Sequence, residues 1–433
     1  MRNIRRIISF VLAICFIHIF AFSSDVQAQE SVDIQAEAAI LIDADSGKIL
    51  YEQNADEKLA IASMTKMMTE YLVLEAIKNE EIEWDDEVPI SDYAQQVSQN
   101  YSLSNIPLLE DVKYTVKELY ESMAIYSANG ATIALAELVG GSEANFVQMM
   151  NDKAEELGLG DVTFVNTTGL NNKDLFGQHP AGSETEENMM SARSTALLAY
   201  RLLHDHPNVL ETASIPVKNF TKGLDDPLEM LNWNWMLDGL DLAYPGVDGL
   251  KTGSTDLAGF AFTGTVQKGD MRFISVVMKT NSAISRFRET AKLYDWGFSQ
   301  FSKQEIVPEG YKFENKTVPV VKGKQKEVAV QAKSSFSMLV RNNEKDLYKP
   351  EFTLDKKKFD DDGNLVAPFE KGEKIGTVTV KYSGEGSDYG FITDKVATSE
   401  LVTVEEVKKA NWFTLSMRAI GNFFGGLWDK IIG

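Results

Sequence analysis

Three short segments of this chain carry side chains that could acylate a serine without help from a histidine. In chain order they are Ser63-Met64-Thr65-Lys66, Ser127-Ala128-Asn129 and Lys251-Thr252-Gly253. Ser63 is the only serine with a lysine three residues later, and Lys-Thr-Gly occurs once, whereas Ser-x-Asn occurs at both Ser98 and Ser127. Each motif alone is a weak signal. The ordered set of three indicates an enzyme that forms an acyl-serine.

The first motif supplies a nucleophile and a base. A serine hydroxyl is a poor nucleophile until a base takes its proton, and Lys66 follows Ser63 at a spacing that places both on one face of the helix predicted from Met64 to Ile77. Lys66 must be neutral to act as the base, which burial and a second cation, for which Lys251 is the candidate, would achieve by lowering its pKa. We expect the backbone N–H groups of Ser63 and Ser254 to form the oxyanion hole.

The other two motifs supply groups that bind the substrate and move a proton. Asn129 offers an amide that can orient the substrate backbone, and Ser127 can relay a proton toward a leaving amine. A strand at 251–254 can pair with an extended peptide, with Lys251 and Thr252 reaching a carboxylate. A peptide with a free carboxyl end is therefore the predicted class of substrate.

Composition and charge exclude several other classes of protein. The chain has 433 residues, which is too long for one average domain, and its 44% hydrophobic and 25% charged residues are ordinary for a folded protein. A net charge of −21 argues against a nucleic-acid partner, because phosphates require a basic surface. After residue 28 the histidines are His179, His204 and His206, and Gly-x-Ser-x-Gly is absent, so a histidine-dependent triad fails. We expect no metal and no cofactor.

The N-terminal segment 1–28 is predicted to be a signal peptide that is removed on export. Arg2, Arg5 and Arg6 precede an apolar run from Ile7 to Phe22, and Val26-Gln27-Ala28 resembles a cleavage site. The apolar run is shorter than the roughly 20 residues that span a bilayer. Cys15, the only cysteine, lies in this segment, so the mature chain is expected to have no disulfide and no thiol nucleophile.

The order of the predicted elements indicates an α+β catalytic domain over residues 29–303. A strand hairpin at 38–51 and strands between 249 and 279 flank a helical middle, so one sheet must close from distant parts of the chain. Residues 304–404 alternate apolar and polar positions between turn residues, which predicts a small all-β domain.

The tail, residues 405–433, has the pattern of an amphipathic helix. Its apolar residues recur at steps of three and four, at Phe413, Met417, Ile420, Phe424, Leu427 and Ile431, with Trp412 and Trp428 beside them. Glycines at 421, 425 and 426 interrupt this stripe, so it cannot span a membrane. We expect the helix to lie in a membrane interface; the alternative is a helix packed on the protein.

Longer stretches around the three motifs resemble the low-molecular-mass penicillin-binding proteins of the serine D-alanyl-D-alanine carboxypeptidase type. The matching segments are Ile61-Ala-Ser-Met-Thr-Lys-Met67, Tyr126-Ser-Ala-Asn129, Phe164-Val-Asn-Thr-Thr-Gly-Leu170 and Asp248-Gly-Leu-Lys-Thr-Gly253. The resemblance implies a β-lactamase/transpeptidase-like catalytic domain, a β-rich domain and an amphipathic anchor. It further implies that the enzyme removes the terminal D-alanine from peptidoglycan stem pentapeptides through an acyl-enzyme on Ser63, and that β-lactams trap this serine. Arg286 aligns with a family arginine that binds the substrate carboxylate, and Arg288, two residues later, is the alternative candidate for this role.

Two departures from the family pattern and three alternatives remain. Gly130 stands where the family often has Asp, and Ser191-Ala-Arg-Ser194 replaces a Thr-Ala-x-Asp segment. One alternative is a class A β-lactamase, whose deacylating Glu-x-x-Leu-Asn loop has only a shortened counterpart at 229–232. The second is a transpeptidase or endopeptidase on the same scaffold. The third is a non-catalytic β-lactam sensor or wall-binding protein that is acylated and stalls.

Overall fold

The computed structural model describes residues 32–384, 388–393, 399–418 and 420. The predicted signal peptide, with Cys15, lies outside these residues. So does the end of the tail, with Phe424, Leu427, Trp428 and Ile431.

The catalytic part of the chain is built on a five-stranded antiparallel sheet with the strand order β2-β1-β11-β10-β9. The first eleven strands are β1 Ala38–Asp43, β2 Ile49–Gln53, β3 Lys58–Ala60, β4 Glu87–Val88, β5 Tyr114–Thr115, β6 Met189–Ser191, β7 Val217–Phe220, β8 Leu228–Leu231, β9 Val247–Thr255, β10 Gly259–Lys268 and β11 Met271–Thr280. Ala38 pairs with Met278, so the N-terminal hairpin joins strands from more than half the chain away. All six residues of β1 are buried, because both faces of the sheet are covered.

Helices fill the long segment between β2 and β9, and one more follows β11. They are α1 Lys66–Lys78, α2 Asp92–Ser98, α3 Val116–Tyr126, α4 Asn129–Gly140, α5 Glu143–Leu157, α6 Ala192–Asp205, α7 Val209–Ala213 and α8 Ala283–Gln300. Helix α1 has apolar residues on nearly every side and is buried along most of its length, as its sequence predicts. Helix α3 begins at a capping box formed by Thr115 and Glu118. Helices α6 and α8 contact the sheet.

A second, all-β part follows α8 directly. Its strands are β12 Phe301–Val307, β13 Lys312–Val321, β14 Glu327–Ala332, β15 Phe336–Arg341, β16 Tyr348–Leu354, β17 Leu365–Val366, β18 Lys374–Tyr382 and β19 Ser399–Thr403. Strand β12 pairs with β15, and the remaining six form one sheet in the order β16-β18-β19-β14-β13-β17. This part has its own core of alternating buried residues, Val318 and Val320 on β13 and Val328 and Val330 on β14 among them. The predicted α+β class with a small all-β domain is confirmed.

The described part of the tail is bonded to the β-rich domain and then becomes helical. Val407 and Phe369 exchange backbone hydrogen bonds, and the N–H of Ala410 donates to the carbonyl of Lys322. Residues 412–418 are helical, and among the described residues no helix is both long enough and apolar enough to cross a membrane.

Candidate active site

Ser63 lies in a 3-10 turn, Ala62–Thr65, that leads directly into α1. Lys66 is the first residue of α1 and is fully buried, and its Nζ lies 3.2 Å from Ser63 Oγ. A 3-10 turn stacks residues three apart in sequence, so this local geometry brings the hydroxyl and the amine together.

The amine of Lys66 has three neighbours, which is the number that a neutral amine can satisfy. Its Nζ lies 2.8 Å from Asn129 Oδ1 and 2.7 Å from the carbonyl oxygen of Thr168, both of which can only accept. An ammonium would donate to all three neighbours, whereas a neutral amine donates to these two acceptors and keeps its lone pair for the hydroxyl of Ser63. Burial lowers the pKa of Lys66 well below that of an ordinary lysine, and the positive charge of Lys251 lowers it further.

Two glycines from different motifs hold the backbone on the N-terminal side of Ser63. A Cβ added to Gly169 would lie 1.9 Å from the carbonyl oxygen of Ala62, and one added to Gly253 would lie 2.4 Å from that of Ile61. Ala62 itself has a left-handed backbone, with φ of 47°. The turn that contains Ser63 is therefore held by close backbone contacts, which any residue other than glycine at positions 169 and 253 would prevent.

The loop that carries Thr168 is fixed by a carboxamide. Asn166 Oδ1 accepts hydrogen bonds from the N–H groups of Thr168, at 3.1 Å, and Gly169, at 2.7 Å. Asn188 in turn donates to the carbonyl of Asn166 and to the hydroxyl of Thr65. The 164–170 segment thus acts as a rigid support for the lysine amine.

Ser127 ends α3 in a left-handed conformation, with φ of 62°. Its Oγ is buried, lines the site and has no hydrogen-bond partner within the described residues. An unpaired buried hydroxyl is unfavourable in a resting protein, and one at a catalytic site is available for a bound substrate.

Asn129 is the first residue of α4, two residues after Ser127, and is hydrogen-bonded to the loop before β5. Its Nδ2 donates to the carbonyl oxygen of Ser104 at 2.9 Å, and its backbone N–H donates to the same oxygen. The next residue, Gly130, packs against α2: an added Cβ would lie 2.6 Å from Ser98 Cβ. Position 130 therefore has no room for a side chain, which explains why this chain has glycine where the family often has Asp.

The second departure from the family pattern forms a helix cap. Ser191 accepts a hydrogen bond from the N–H of Ser194 at the start of α6, and the hydroxyl of Ser194 donates to the carbonyl of Leu159. Ser191 therefore caps the helix, and Ser194, at the position where the family often has an acidic residue, ties the first turn of the helix to Leu159.

Lys251, Thr252 and Gly253 lie on β9, which is the edge strand of the main sheet. One edge of β9 pairs with β10, where Lys251 faces Thr263, and the other edge has no strand partner in the described part of the chain. Burial lowers the pKa of the Lys251 amine, and the charge of Arg286 adds to this, whereas Glu70 opposes it.

Arg286 and Arg288 lie on different sides of α8. Arg286 is 3% exposed and lines the cavity, and its Nη1 donates to the carbonyl oxygen of Gly253 at 3.3 Å. Its guanidinium lies over the ring of Phe287 at 4.7 Å, and burial lowers its pKa to about 10. Arg288 is exposed to solvent.

A cavity of about 220 Å³ joins these elements. Six of the residues predicted for the site line it, namely Ser63, Ser127, Thr252, Gly253, Ser254 and Arg286, while Lys66, Asn129 and Lys251 are buried beside them. Five other residues that line the cavity were not predicted from the sequence: Ser104, Trp233, Trp235, Phe260 and Ala283. The indole of Trp233 donates to the carbonyl of Tyr126 and so fixes part of an aromatic wall.

Comparisons with known proteins agree with this geometry. Residues 24–282 match the family described as D-alanyl-D-alanine carboxypeptidase, Peptidase_S11, and residues 301–409 match the C-terminal domain of penicillin-binding protein 5. The chain belongs to the D-alanyl-D-alanine carboxypeptidase family. The predicted family and the predicted serine hydrolase are thereby confirmed.

Individual relatives of this D-alanyl-D-alanine carboxypeptidase match between 62% and 90% of its length. The D-alanyl-D-alanine carboxypeptidase DacF of Bacillus subtilis is 33% identical in an alignment that covers 90% of this chain and 90% of the DacF chain. The structure of a peptidoglycan synthesis regulatory factor, PBP3, from Streptococcus pneumoniae is 37% identical, with a TM-score of 0.72 over 87% of this chain and 100% of that one. The cefotaxime-bound penicillin-binding protein D2 of Listeria monocytogenes is 34% identical, with a TM-score of 0.53 over 62% of this chain and 100% of its own.

Proposed function

We propose that this carboxypeptidase removes the terminal D-alanine from peptidoglycan stem pentapeptides through an acyl-enzyme on Ser63. The observation that carries the proposal is the position of the Lys66 amine, 3.2 Å from Ser63 Oγ with its other two neighbours able only to accept hydrogen bonds. Because burial lowers the pKa of Lys66, this arrangement places a neutral amine next to a serine hydroxyl, which is the state required of a general base.

Acylation follows from this arrangement. Lys66 takes the proton of Ser63, and Oγ attacks the carbonyl carbon of the peptide bond between the last two alanines. The N–H groups of Ser63 and Ser254 then stabilise the negative charge that develops on the carbonyl oxygen. As the bond to the terminal D-alanine breaks, its amine receives the proton from Lys66 through the hydroxyl of Ser127, and the ester left on Ser63 is hydrolysed by water.

Recognition of the substrate uses the basic end of the cavity. Lys251, Thr252 and Arg286 surround a position where the terminal carboxylate can bind, and a charge-assisted hydrogen bond to a buried cation is among the stronger polar contacts in proteins. The free edge of β9 can accept the extended peptide as an additional strand, as in other cases of strand addition. The carboxamide of Asn129 lies where it can orient the backbone of this peptide.

β-Lactams are the expected inhibitors. Their carboxylate and strained amide present the same two groups to Ser63 and to the basic end of the cavity. The penicillin-binding protein D2 relative has been solved with cefotaxime and with ampicillin bound.

The alternative of a class A β-lactamase finds no support at its candidate residue. Glu229 is an exposed residue of β8, opposite Asn219 in the β7–β8 hairpin. It does not line the cavity, and neither does any other carboxylate of the described residues.

Mass spectrometry tests the proposal and separates it from a stalled β-lactam sensor. Penicillin is expected to add one acyl group to Ser63. An acyl-D-Ala-D-Ala peptide is expected to be hydrolysed over many turnovers to free D-alanine and a shortened peptide. Ser63→Ala should show neither reaction. Labelling of the Ser63→Ala variant would contradict the nucleophile assignment, and labelling of the wild type without peptide turnover would indicate a sensor.

We further infer that the enzyme is exported and held on the outer face of the cytoplasmic membrane by its tail. Trp412, Phe413, Met417 and Ile420 are each more than half exposed although they are apolar, which is unfavourable in water and favourable at a lipid interface. The helix is also anchored to the protein, because the guanidinium of Arg418 donates to the carbonyls of Gly323 and Lys324 at 2.8 and 2.7 Å.

Co-sedimentation with anionic liposomes tests this inference. Deletion of residues 412–433 should release the protein from vesicles and leave hydrolysis of a soluble peptide unchanged, since residues 407–410, which bond to the β-rich domain, are retained. Phe413→Glu should weaken vesicle binding, whereas Thr414→Glu, which adds the same charge one residue along and away from the face that carries Trp412, Phe413 and Ile420, serves as the matched control. Equal partitioning of full-length and truncated protein would show that the tail does not bind lipid.

A further inference from the structure

Glu70 is a buried carboxylate that the mechanism above does not use. It lies one helical turn after Lys66 on α1, and this spacing places the two side chains on the same face. Helix α1 also contacts β9, which carries Lys251. Lys66, Glu70 and Lys251 are all buried, with exposed fractions of 0%, 3% and 3%.

Lys66, Lys251 and Arg286 can bring three positive charges to this part of the site. Glu70 is not in direct ion-pair contact with either lysine, but its carboxylate raises the pKa of both, whereas Arg286 lowers that of Lys251. A buried charge without a partner is strongly unfavourable, so a buried cation here requires an anion. Burial raises the pKa of the Glu70 carboxyl, and the two lysines oppose this rise.

The other elements packed against α1 bring no competing charge to Glu70. On α3 the facing group is the hydroxyl of Tyr120, which is buried and whose pKa burial and Glu70 raise. Acidic residues on α4, α5 and α6 have partners of their own: Glu137 accepts from Ser91, Glu143 from Thr167 and Asp205 from Tyr71. On α5 the basic residue Lys153 pairs with Glu75 and Glu156.

We propose that Glu70 is the counter-ion of the buried lysine pair, a positioning residue that keeps Lys251 protonated for carboxylate binding while Lys66 is neutral. In that state Lys251 and Arg286 carry two positive charges and Glu70 one negative charge. The single positive charge that remains is neutralised by the carboxylate of the substrate. The site is therefore matched to a substrate with one terminal carboxylate.

This inference rests on the proposed function, and the pH dependence of acylation tests the two separately. The rate of acylation of Ser63 by penicillin is measured against pH for the wild type, Glu70→Gln, Glu70→Asp and Glu75→Gln. Loss of the anion lowers the pKa of both lysines, so in Glu70→Gln both limbs of the profile should move to lower pH by about one unit or more. Glu70→Asp keeps the charge and should restore the wild-type limbs. Glu75→Gln, on the same helix but paired with Lys153, is the matched control and should leave the profile unchanged.

The outcomes discriminate clearly. A Glu70→Gln profile that is lower at every pH but has unmoved limbs would show a purely structural role and overturn the inference, as would equal profiles for Glu70→Gln and Glu70→Asp. Absence of acylation in the wild type would instead refute the proposed function. A ¹³C NMR titration of the wild-type glutamate carboxyls needs no variant. Burial raises the pKa of the Glu137 and Glu143 carboxyls as well as that of Glu70, but only one raised carboxyl should respond to penicillin, and the absence of such a response would overturn the inference.

Discussion

The backbone of Gly253 approaches that of Ile61 so closely that an added Cβ would lie 2.4 Å from the Ile61 carbonyl oxygen. Strand β9, which is proposed to bind the substrate, and the turn that contains Ser63 are therefore in direct contact through their backbones. We expect Gly253→Ala to separate them and to lower the rate of penicillin acylation at least tenfold, because small misplacements of reacting groups are costly.

Gly269→Ala is the control for this substitution. Gly269, unlike Gly253, has a left-handed backbone, with φ of 64°, and no atom lies within 4 Å of its added Cβ. It should lose about 1 kcal/mol of stability from backbone strain and keep its acylation rate. Equal acylation by Gly253→Ala and the wild type would show that the contact does not position Ser63.

Replacement of Lys66 by arginine fixes a positive charge where the proposed mechanism requires a neutral amine, and so removes the base. A guanidinium does not lose its proton in proteins, so acylation should fall by about two orders of magnitude or more. Stopped-flow measurement of penicillin acylation provides the rate, and the melting temperature checks that the variant is folded. A Lys66→Arg enzyme that acylates at the wild-type rate would mean that another group takes the proton of Ser63.

The carboxylate role of Arg286 predicts a non-additive pair of changes. Conversion of the substrate carboxylate to an amide and substitution of Arg286 by alanine each remove the same contact, so the second change should have little effect after the first. Arg288→Ala, at an exposed position two residues along α8, should behave as the wild type with both substrates. Fully additive effects on kcat/KM would place the carboxylate elsewhere.

Ser127→Ala should separate activity from stability. The hydroxyl of Ser127 has no partner among the described residues, so its removal should change the free energy of unfolding by no more than about 0.5 kcal/mol. Peptide hydrolysis should nevertheless fall by about 10²-fold, because the leaving amine loses its proton relay. Ser122→Ala, whose hydroxyl bonds to the carbonyl of Leu119 on the same helix, is the control and should retain activity.

The lowered pKa of Lys251 predicts how substrate binding depends on pH. The amine is cationic below its pKa and neutral above it, so attraction for the carboxylate is present at low pH and lost as pH rises. KM should therefore increase at a pH well below about 10.4, where an ordinary lysine titrates. At saturating substrate the bound carboxylate raises this pKa, and kcat should hold to higher pH. A KM that stays constant to pH 9, above the pKa of about 8 of Lys251 and below that of about 10 of Arg286, would assign carboxylate binding to Arg286 alone.

Short-range patterns explain why so much of the site could be predicted from the sequence. The spacing of Ser63 and Lys66 is set by one turn of helix, and the second motif, Ser127-Ala128-Asn129, lies where α3 ends and α4 begins. Glu70 was missed although its spacing from Lys66 carries the same kind of signal. A search for charged residues on the buried face of this helix would have found it.

Other residues of the site could not be predicted, because only tertiary packing brings them to it. Trp233 and Trp235 follow β8 in a segment without regular secondary structure, and Ser104 belongs to a loop between α2 and β5. No periodicity marks such positions. The choice between Arg286 and Arg288 has the same origin, since two residues on one helix differ in direction by about 200° and only the packing of α8 shows which one faces the cavity.

The pairing of β1 with β11 determines when catalytic competence can arise. Ala38 meets Met278, and β9 is joined to β1 only through β10 and β11, so the sheet that brings Lys251 to Ser63 cannot close before the chain extends to Thr280. Contacts between such distant residues form late, since the entropy of closing the intervening loop opposes them. A nascent chain truncated between β9 and β11 would contain Ser63, Lys66 and Lys251 and still be inert. Catalytic competence in this enzyme therefore requires the pairing of two strands that are more than half the chain apart.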